Sequence, residues 1–180
     1  MKNWIKCTLG DIVIFQRGFD LPKSEMKEGK FPVVGSNGII GYHDEYTTKP
    51  PGLSVGRSGN VGNPFIINIP SWSHNTTLFV KSFKNSYPLF VYYFLKTLDL
   101  SKYSGGSAVP TLNRNHIHSI PIKVPEIEEQ KKIAEILGSL DKKIKLNKKI
   151  NKNLIYKITN KLKDIFKFRH LKHQFLQTLV

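Results

Sequence analysis

The stretch GGSAVPTLNRNHIHSIPIKVPEIEEQKKIAEILGSLDKKI, Gly105–Ile144, decides how this chain is organised. Up to Pro121 and Pro125 the sequence is punctuated by Gly and Pro and reads as short strands and turns. Each of these prolines disfavours helical backbone in the residue before it. Beyond Pro125 no proline occurs, and a basic helical pattern runs on to about Phe168. Glu126, Glu128 and Glu129 crowd the start of that pattern, where the helix dipole favours negative charge, and lysines accumulate towards its other end. The expected organisation is a module over residues 1–124, a long helix over 125–168 and a tail over 169–180.

Within the helix, Ile133, Leu137, Leu140, Ile144, Asn147, Asn151, Leu154 and Ile158, followed by Leu162 and Ile165, fall at a near 4-3 alternation. That spacing is the seam of a coiled coil. A helix of this length, at about 1.5 Å per residue, is too long to bury its seam against the module alone, so the seam calls for a partner. Asn147 and Asn151 lie inside it. Buried, they would fix register and strand number at some cost in stability; exposed, they would leave the pairing loose.

Before Pro125 the pattern is that of several short strands. Leu9, Ile12, Val13, Ile14 and Phe15 supply core to an opening strand or turn-strand, and a polar loop follows at 21–30. Phe31, Val33 and Val34 form a strand that ends in GSNGIIG, Leu53–Val55 is a strand between Gly-rich turns, and Ile66, Ile67 and Ile69 resume strand character. Thr76–Val80 is one more. A helix follows, with Ser86 as its N-cap, Pro88 in its first turn and Leu89, Tyr92, Tyr93, Leu95 and Leu98 at helical spacing. The fold class is α+β: a Gly-rich, mainly antiparallel β domain with a packed helix, then a long coiled-coil helix.

The charge narrows the partners. The 180 residues carry 28 Lys/Arg against 13 Asp/Glu, a formal net charge of +15, spread over both parts. A positive field of this kind attracts a phosphate backbone, because each phosphate contact releases condensed counterions; a lysine-rich surface with no such partner is the plainer alternative. The single cysteine, Cys7, cannot form an internal disulfide. No stretch approaches the ~20 apolar residues of a membrane span, and the N-terminus lacks the apolar run of a signal peptide. The expectation is a cytoplasmic protein that does not engage a membrane.

Catalytic patterns are weak. GRSGNVG, Gly56–Gly62, lacks the Lys-Ser/Thr and the following helix of a nucleotide-binding loop. Asn63-Pro64-Phe65 is only a fragment of the Asn-Pro-Pro-aromatic motif of amino-methyltransferases. The Glu129-Gln130-Lys131 run imitates a nuclease motif, but its carboxylates belong to a helix's first turn. His116 and His118, expected on one side of a strand, could join His74 at zinc only without paired ligand spacing or a second Cys. No catalytic residue, metal site or bound cofactor is expected. A Gly-rich loop bearing Arg57, Ser58 and Asn60 has another use, since Arg reads guanine and Asn reads adenine in the major groove; purely structural turns remain the alternative for its glycines.

From W…TLGDI at Trp4–Ile12 through FPVVGSNGIIG, SVGRSGNVG and HNTT to SAVPTLNRNHI and IPIKVPEIEEQKKIAEILGSLDKKI, the sequence resembles the target-recognition unit of type I restriction-modification specificity subunits. The resemblance covers about Trp4–Phe168. Pro-x-x-x-x-Gln-x-x-Ile-Ala-x-Ile-Leu, Pro125–Leu137, is its most specific part. It implies a non-catalytic reader of double-stranded DNA whose target-recognition domain binds one half of a split sequence. It also implies docking to methyltransferase (modification) subunits, which use S-adenosylmethionine, and a restriction subunit in the full complex.

The usual subunit carries two recognition domains and two helices, whereas this chain carries one of each. It is therefore either a half-length form that pairs with a second copy of itself or a fragment. The unpaired seam favours a homodimer, in which two-fold symmetry would give a palindromic, bipartite target. Arg17, Arg57, Ser58, Asn60, Asn75 and Arg114, on loops of the module, are the expected DNA-binding residues. Two other classes stay open. One is a regulatory or decoy coiled-coil protein that binds a methyltransferase without reading DNA; the other is the separated recognition domain of a fused nuclease-methyltransferase.

Overall fold

The computed structural model describes residues 4–105 and 110–177, and of the side chains all but Asp164 and those of 166–177. Part of the Gly-rich run quoted above, residues 106–109, and the end of the expected tail, 178–180, lie outside these. The chain divides into two units, residues 1–135 and 136–180.

The first unit opens with β1 (Ile5–Thr8), the short helix α1 (Leu9–Ile12) and β2 (Ile14–Arg17). The backbone N–H and hydroxyl of Thr8 both donate to Asp11 Oδ2 at 2.7 Å, an acidic capping arrangement that starts α1. Next come β3 (Phe31–Gly35), β4 (Gly38–His43), β5 (Gly52–Gly56), β6 (Pro64–Ile67), β7 (Trp72–Ser73) and β8 (Thr77–Ser82). The helix α2 (Pro88–Thr97) follows, then β9 (Ser104–Gly105), β10 (Thr111–Leu112), α3 (Arg114–His118) and β11 (Pro121–Val124). The helix α4 (Ile127–Gln177) is shared between the two units and extends past the expected Phe168.

The largest sheet has the order β2-β8-β5-β6, antiparallel throughout. Three strands, β4-β3-β7, form a second sheet in which β3 and β4 make an antiparallel hairpin while β3 and β7 run parallel. The first strand pairs with the last: Ile5 faces Val124 and Thr8 faces Pro121 across β1 and β11. A tight connection accounts for the antiparallel β3–β4 hairpin and a short Gly-rich loop for the β5–β6 pair, whereas β1–β11, β2–β8 and β5–β8 pair strands far apart in the chain. The parallel pair β3–β7 is the exception, reached through the long connection that contains β4, β5 and β6.

The core lies between the four-stranded sheet and the helices. Leu53 and Val55 of β5 and Leu78 and Val80 of β8 meet Phe90, Val91 and Leu95 of α2 and Leu9 and Ile12 of α1. Burying each such side chain stabilises the fold by about 1.5–3 kcal/mol. Ile117, Ile122 and Val124 join the same cluster, as does Ala134 from the start of α4. In its first turns α4 is thus part of the module's core.

Two local expectations need correction. Ser86 is not the cap of α2: the helix starts at Pro88 with Tyr87 at the cap position. The Ser86 hydroxyl is buried and lies 2.8 Å from the carbonyls of Ile12 and Phe83, so it ties the loop ahead of α2 to α1. His116 and His118 lie on a helix, α3, not a strand. The side chain of Asn113 accepts from the N–H of Asn115 at 2.9 Å and caps that turn.

In the second unit α4 carries exposed apolar residues: Leu140, Ile144, Leu154 and Ile158 of the 4-3 row, and Ile136, Leu146, Ile150 and Ile155 beside it. Asn147 and Asn151 are exposed as well. Leu137 is half-buried, and in the first unit Ile133 packs against the core cluster. Among the described residues no helix is long and apolar enough to cross a membrane.

Candidate nucleic-acid interface

The ends of three strands and the start of a short helix come together on one side of the first unit. In β2, Arg17 stands opposite Leu78 of β8, and Gly56, the last residue of β5, stands opposite Thr77 at the start of β8. Past Gly56 the backbone of Arg57 is held from both sides: its N–H donates to Thr76 O at 2.8 Å, and its carbonyl accepts from Leu112 N at 2.8 Å. Ser58 continues this pairing, donating to Thr76 O at 3.3 Å and bridging to Thr111. Asn113 and Arg114 follow at the start of α3.

The result is an open concavity of about 340 Å³ lined by Arg17, Arg57, Leu78, Thr111, Leu112, Asn113 and Arg114. The three arginines expected at DNA therefore share one surface, although they lie on three different segments. Their backbones sit at strand and helix ends, so guanidinium groups project from a rigid frame. Such a frame suits both phosphate contact and bidentate contact to a guanine edge.

Beside the concavity lies a carboxylate that the sequence reading passed over. Arg17 Nη2 contacts Asp20 Oδ1 at 3.1 Å and Oδ2 at 3.3 Å, and Asn75 Nδ2 donates to Asp20 Oδ1. The Asn75 hydrogen bond above all, then the electrostatic influence of Arg17, His74 and Arg57, holds the Asp20 carboxyl below its ordinary pKa. Asn75 sits in the turn 74–77, whose His74 carbonyl accepts from the N–H and the hydroxyl of Thr77 at 2.9 and 2.8 Å. Gly18 makes the approach to this turn possible: a Cβ there would lie 2.1 Å from the carbonyl oxygen of His74. A sequence signal for Asp20 exists only in its i,i+3 spacing from Arg17.

The GRSGNVG loop folds tightly on itself. A Cβ on Gly56 would lie 1.7 Å from the carbonyl oxygen of Asn60, and Gly59 and Gly62 have φ of 79° and 78°, which favour glycine. Asn60 itself lines a different concavity, with Lys96 and Asp99 beside α2, and is not brought to the arginines. The tip of the β3–β4 hairpin touches the loop, since a Cβ on Gly59 would meet Ser36 Oγ at 3.2 Å. Ser36 and the exposed Asn37 therefore belong to the same surface, which sequence spacing could not show.

His118 and His74 serve the frame. His118 Nε2 accepts from the Phe15 N–H at 2.9 Å, and its ring stacks on Phe15. Burial first, then the charges of Arg114 and Lys84, push its pKa down. His74 Nδ1 lies 3.0 Å from Thr76 Oγ1. Among the described residues no three His, Cys, Asp or Glu are grouped so as to hold a metal ion.

The model of the type I restriction modification DNA specificity domain matches residues 1–156. The chain belongs to this family. A Mycoplasma pneumoniae protein assigned as a type I specificity subunit is 32% identical over 146 residues, covering 73% of this chain and 46% of that protein. The EcoprrI type I restriction enzyme specificity subunit of Escherichia coli is 28% identical over 140 residues, covering 74% and 35%. The chain therefore spans less than half the length of these curated relatives.

Among solved structures, the type I restriction-modification S subunit of M. genitalium superposes with a TM-score of 0.69 at 20% identity, over 79% of this chain and 40% of that one. The HsdS subunit of Thermoanaerobacter tengcongensis gives a TM-score of 0.59 at 15% identity, over 79% and 38%. At these identities the likeness is one of fold, and it is the specificity-subunit fold. The Gln of Pro-x-x-x-x-Gln has a visible task in this member of the family: Gln130 is buried and bonded at both ends of its amide, to Tyr87 N and to Pro125 O, each at 2.9 Å.

Proposed function

We propose that this chain reads one half of a split DNA sequence for a type I restriction-modification complex. The observation that carries the proposal is the convergence of Arg17, Arg57 and Arg114 on one concave surface of a specificity domain. Lysines of the surrounding surface would grip phosphates and set the salt dependence, while the arginines with Ser58, Asn75 and the hairpin tip would meet base edges. Asn60 would act from the neighbouring concavity.

The chain itself performs no chemistry in this reading. It docks modification subunits, which bring S-adenosylmethionine and methylate adenine, and through them the restriction subunit. The exposed apolar row of α4 supports pairing with a second copy, because an uncovered row of this length is an association surface. A two-fold pair would read a target with two inverted, identical halves.

Binding by the full chain, with and without a modification subunit, tests this. Sequence-specific binding that needs that subunit, and a chain mass in solution of twice the monomer, are expected. Indifference to both DNA and the modification subunit would overturn the proposal.

A further inference from the structure

We infer that Asp20 is an internal substitute for a DNA phosphate, a positioning residue that engages Arg17 and Asn75 in the free protein and withholds Arg17 from non-specific backbone contact. The inference rests on the DNA-reading function proposed above and deepens it. Asp20 is an exposed carboxylate within a strongly basic chain, yet both its oxygens are directed at side chains of the candidate interface. Arg17 Nη2 reaches both oxygens within 3.3 Å, and Asn75 Nδ2 donates to one of them.

The frame around the cluster is fixed. Gly18 N donates to Thr77 O at 3.0 Å, and Phe19 N donates to Ser73 O at 2.8 Å, so Arg17 and Asp20 are pinned on either side of the turn that carries Asn75. The carboxylate is kept ionised there, as its lowered pKa also indicates.

A carboxylate and a phosphate offer a guanidinium the same kind of charged, two-oxygen acceptor. Random DNA would have to compete with Asp20 for Arg17, which lowers affinity for every sequence equally. A correct half-site that supplies further acceptors to Arg57 and Arg114 can still displace it. The carboxylate thus holds down binding to random DNA, while a half-site that also engages Arg57 and Arg114 keeps net affinity.

The test uses the full chain and a random-sequence DNA duplex, with affinity measured across a salt series for wild type, Asp20→Asn, Arg17→Ala and the double variant. Asp20→Asn keeps an acceptor for Asn75 but holds Arg17 weakly. It should bind random duplex more tightly, with a slope of log affinity against log salt steeper by about 0.9, the value for one added phosphate contact. Arg17→Ala should cost little alone and reverse the gain in the Asp20→Asn background. Asp20→Ser should repeat the pattern, and neutralising a control carboxylate, Glu25→Gln, should not.

Additive effects of the two substitutions would reduce Asp20 to one charge among many and overturn the inference while leaving the DNA-reading proposal intact. Unchanged affinity for random duplex, with a changed preference at one base selected from a duplex library, would make Asp20 a base reader and also overturn it. No binding of any duplex by wild type and Asp20→Asn at low salt, alone or with a modification subunit, would overturn both the inference and the function on which it rests.

Discussion

Gln130 Oε1 accepts a hydrogen bond from the backbone N–H of Tyr87 at 2.9 Å, which ties the start of α4 to the entrance of α2. The same amide donates to Pro125 O at 2.9 Å, so neither polar group is left without a partner in a site that is 2% exposed. Ala134, one turn on, is fully buried in the core cluster. The helix is therefore anchored in the module by the Gln130 amide, the Ala134 methyl group and the Ile133 side chain before its exposed length begins.

Replacing that amide by a side chain of similar volume isolates the hydrogen bonds. Gln130→Leu leaves the Tyr87 N–H and the Pro125 carbonyl buried without partners, at a cost of about 1–3 kcal/mol each at most. The urea midpoint should fall with little change in slope. An unchanged midpoint would mean that the anchor is apolar packing alone.

Gly18 is required for space, not for its backbone freedom. In Gly18→Ala the new methyl would overlap the His74 and Ser73 carbonyls, 2.1 and 2.5 Å away, and both belong to backbone. Destabilisation of about 1–3 kcal/mol or more is expected. Because the same shift moves Arg17 and Asp20 away from Asn75, DNA affinity should fall along with the melting temperature.

His118 gives the fold a pH dependence. Its neutral Nε2 accepts from Phe15 N, and its pKa is depressed by burial, with Arg114 and Lys84 adding to the effect. Below the ordinary imidazole value, about 6.5, the unfolded chain takes up the proton before the folded chain does. Stability should therefore be intact above pH 6.5 and decline as pH falls below it. Denaturation midpoints from pH 8 to pH 5 should fall more for wild type than for His118→Gln; parallel curves would remove His118 as the cause.

Arg57 separates base reading from phosphate grip. Its backbone is held by Thr76 and Leu112, so Arg57→Ala should leave the fold intact. As a base reader its loss relaxes one target position by ~1–3 kcal/mol. Uniform weakening on every sequence, with a shallower salt slope, would assign it to the phosphate backbone instead.

Much of this fold is legible in the sequence where local pattern and packing agree. Alternation at Leu53 and Val55 and at Leu78 and Val80 marks β5 and β8, and Pro88 with the apolar spacing after it marks α2. Ser86 misleads because Ser-x-Pro is also what a helix cap looks like, while its acceptors are Phe83 O and, 74 residues away, Ile12 O. The parallel pairing of β3 with β7 and the helical turn at His116–His118 are hidden for a related reason. Two residues of strand carry no periodicity, and the cap that starts α3 is a single side chain. At the interface, residue chemistry points to Arg17, Arg57 and Arg114 one by one. Their meeting, and the carboxylate of Asp20 55 residues from Asn75, are properties of the tertiary fold.

The central claim is that one recognition domain, used twice, reads a symmetric split target. Mapping methylated adenines at single-molecule level, in cells that express the chain with a modification subunit, tests it most directly. The account predicts one sequence with two identical inverted halves at a fixed spacing, lost on Arg57→Ala or altered at one position in each half. A single undivided motif, or a split motif with two different halves, would contradict it.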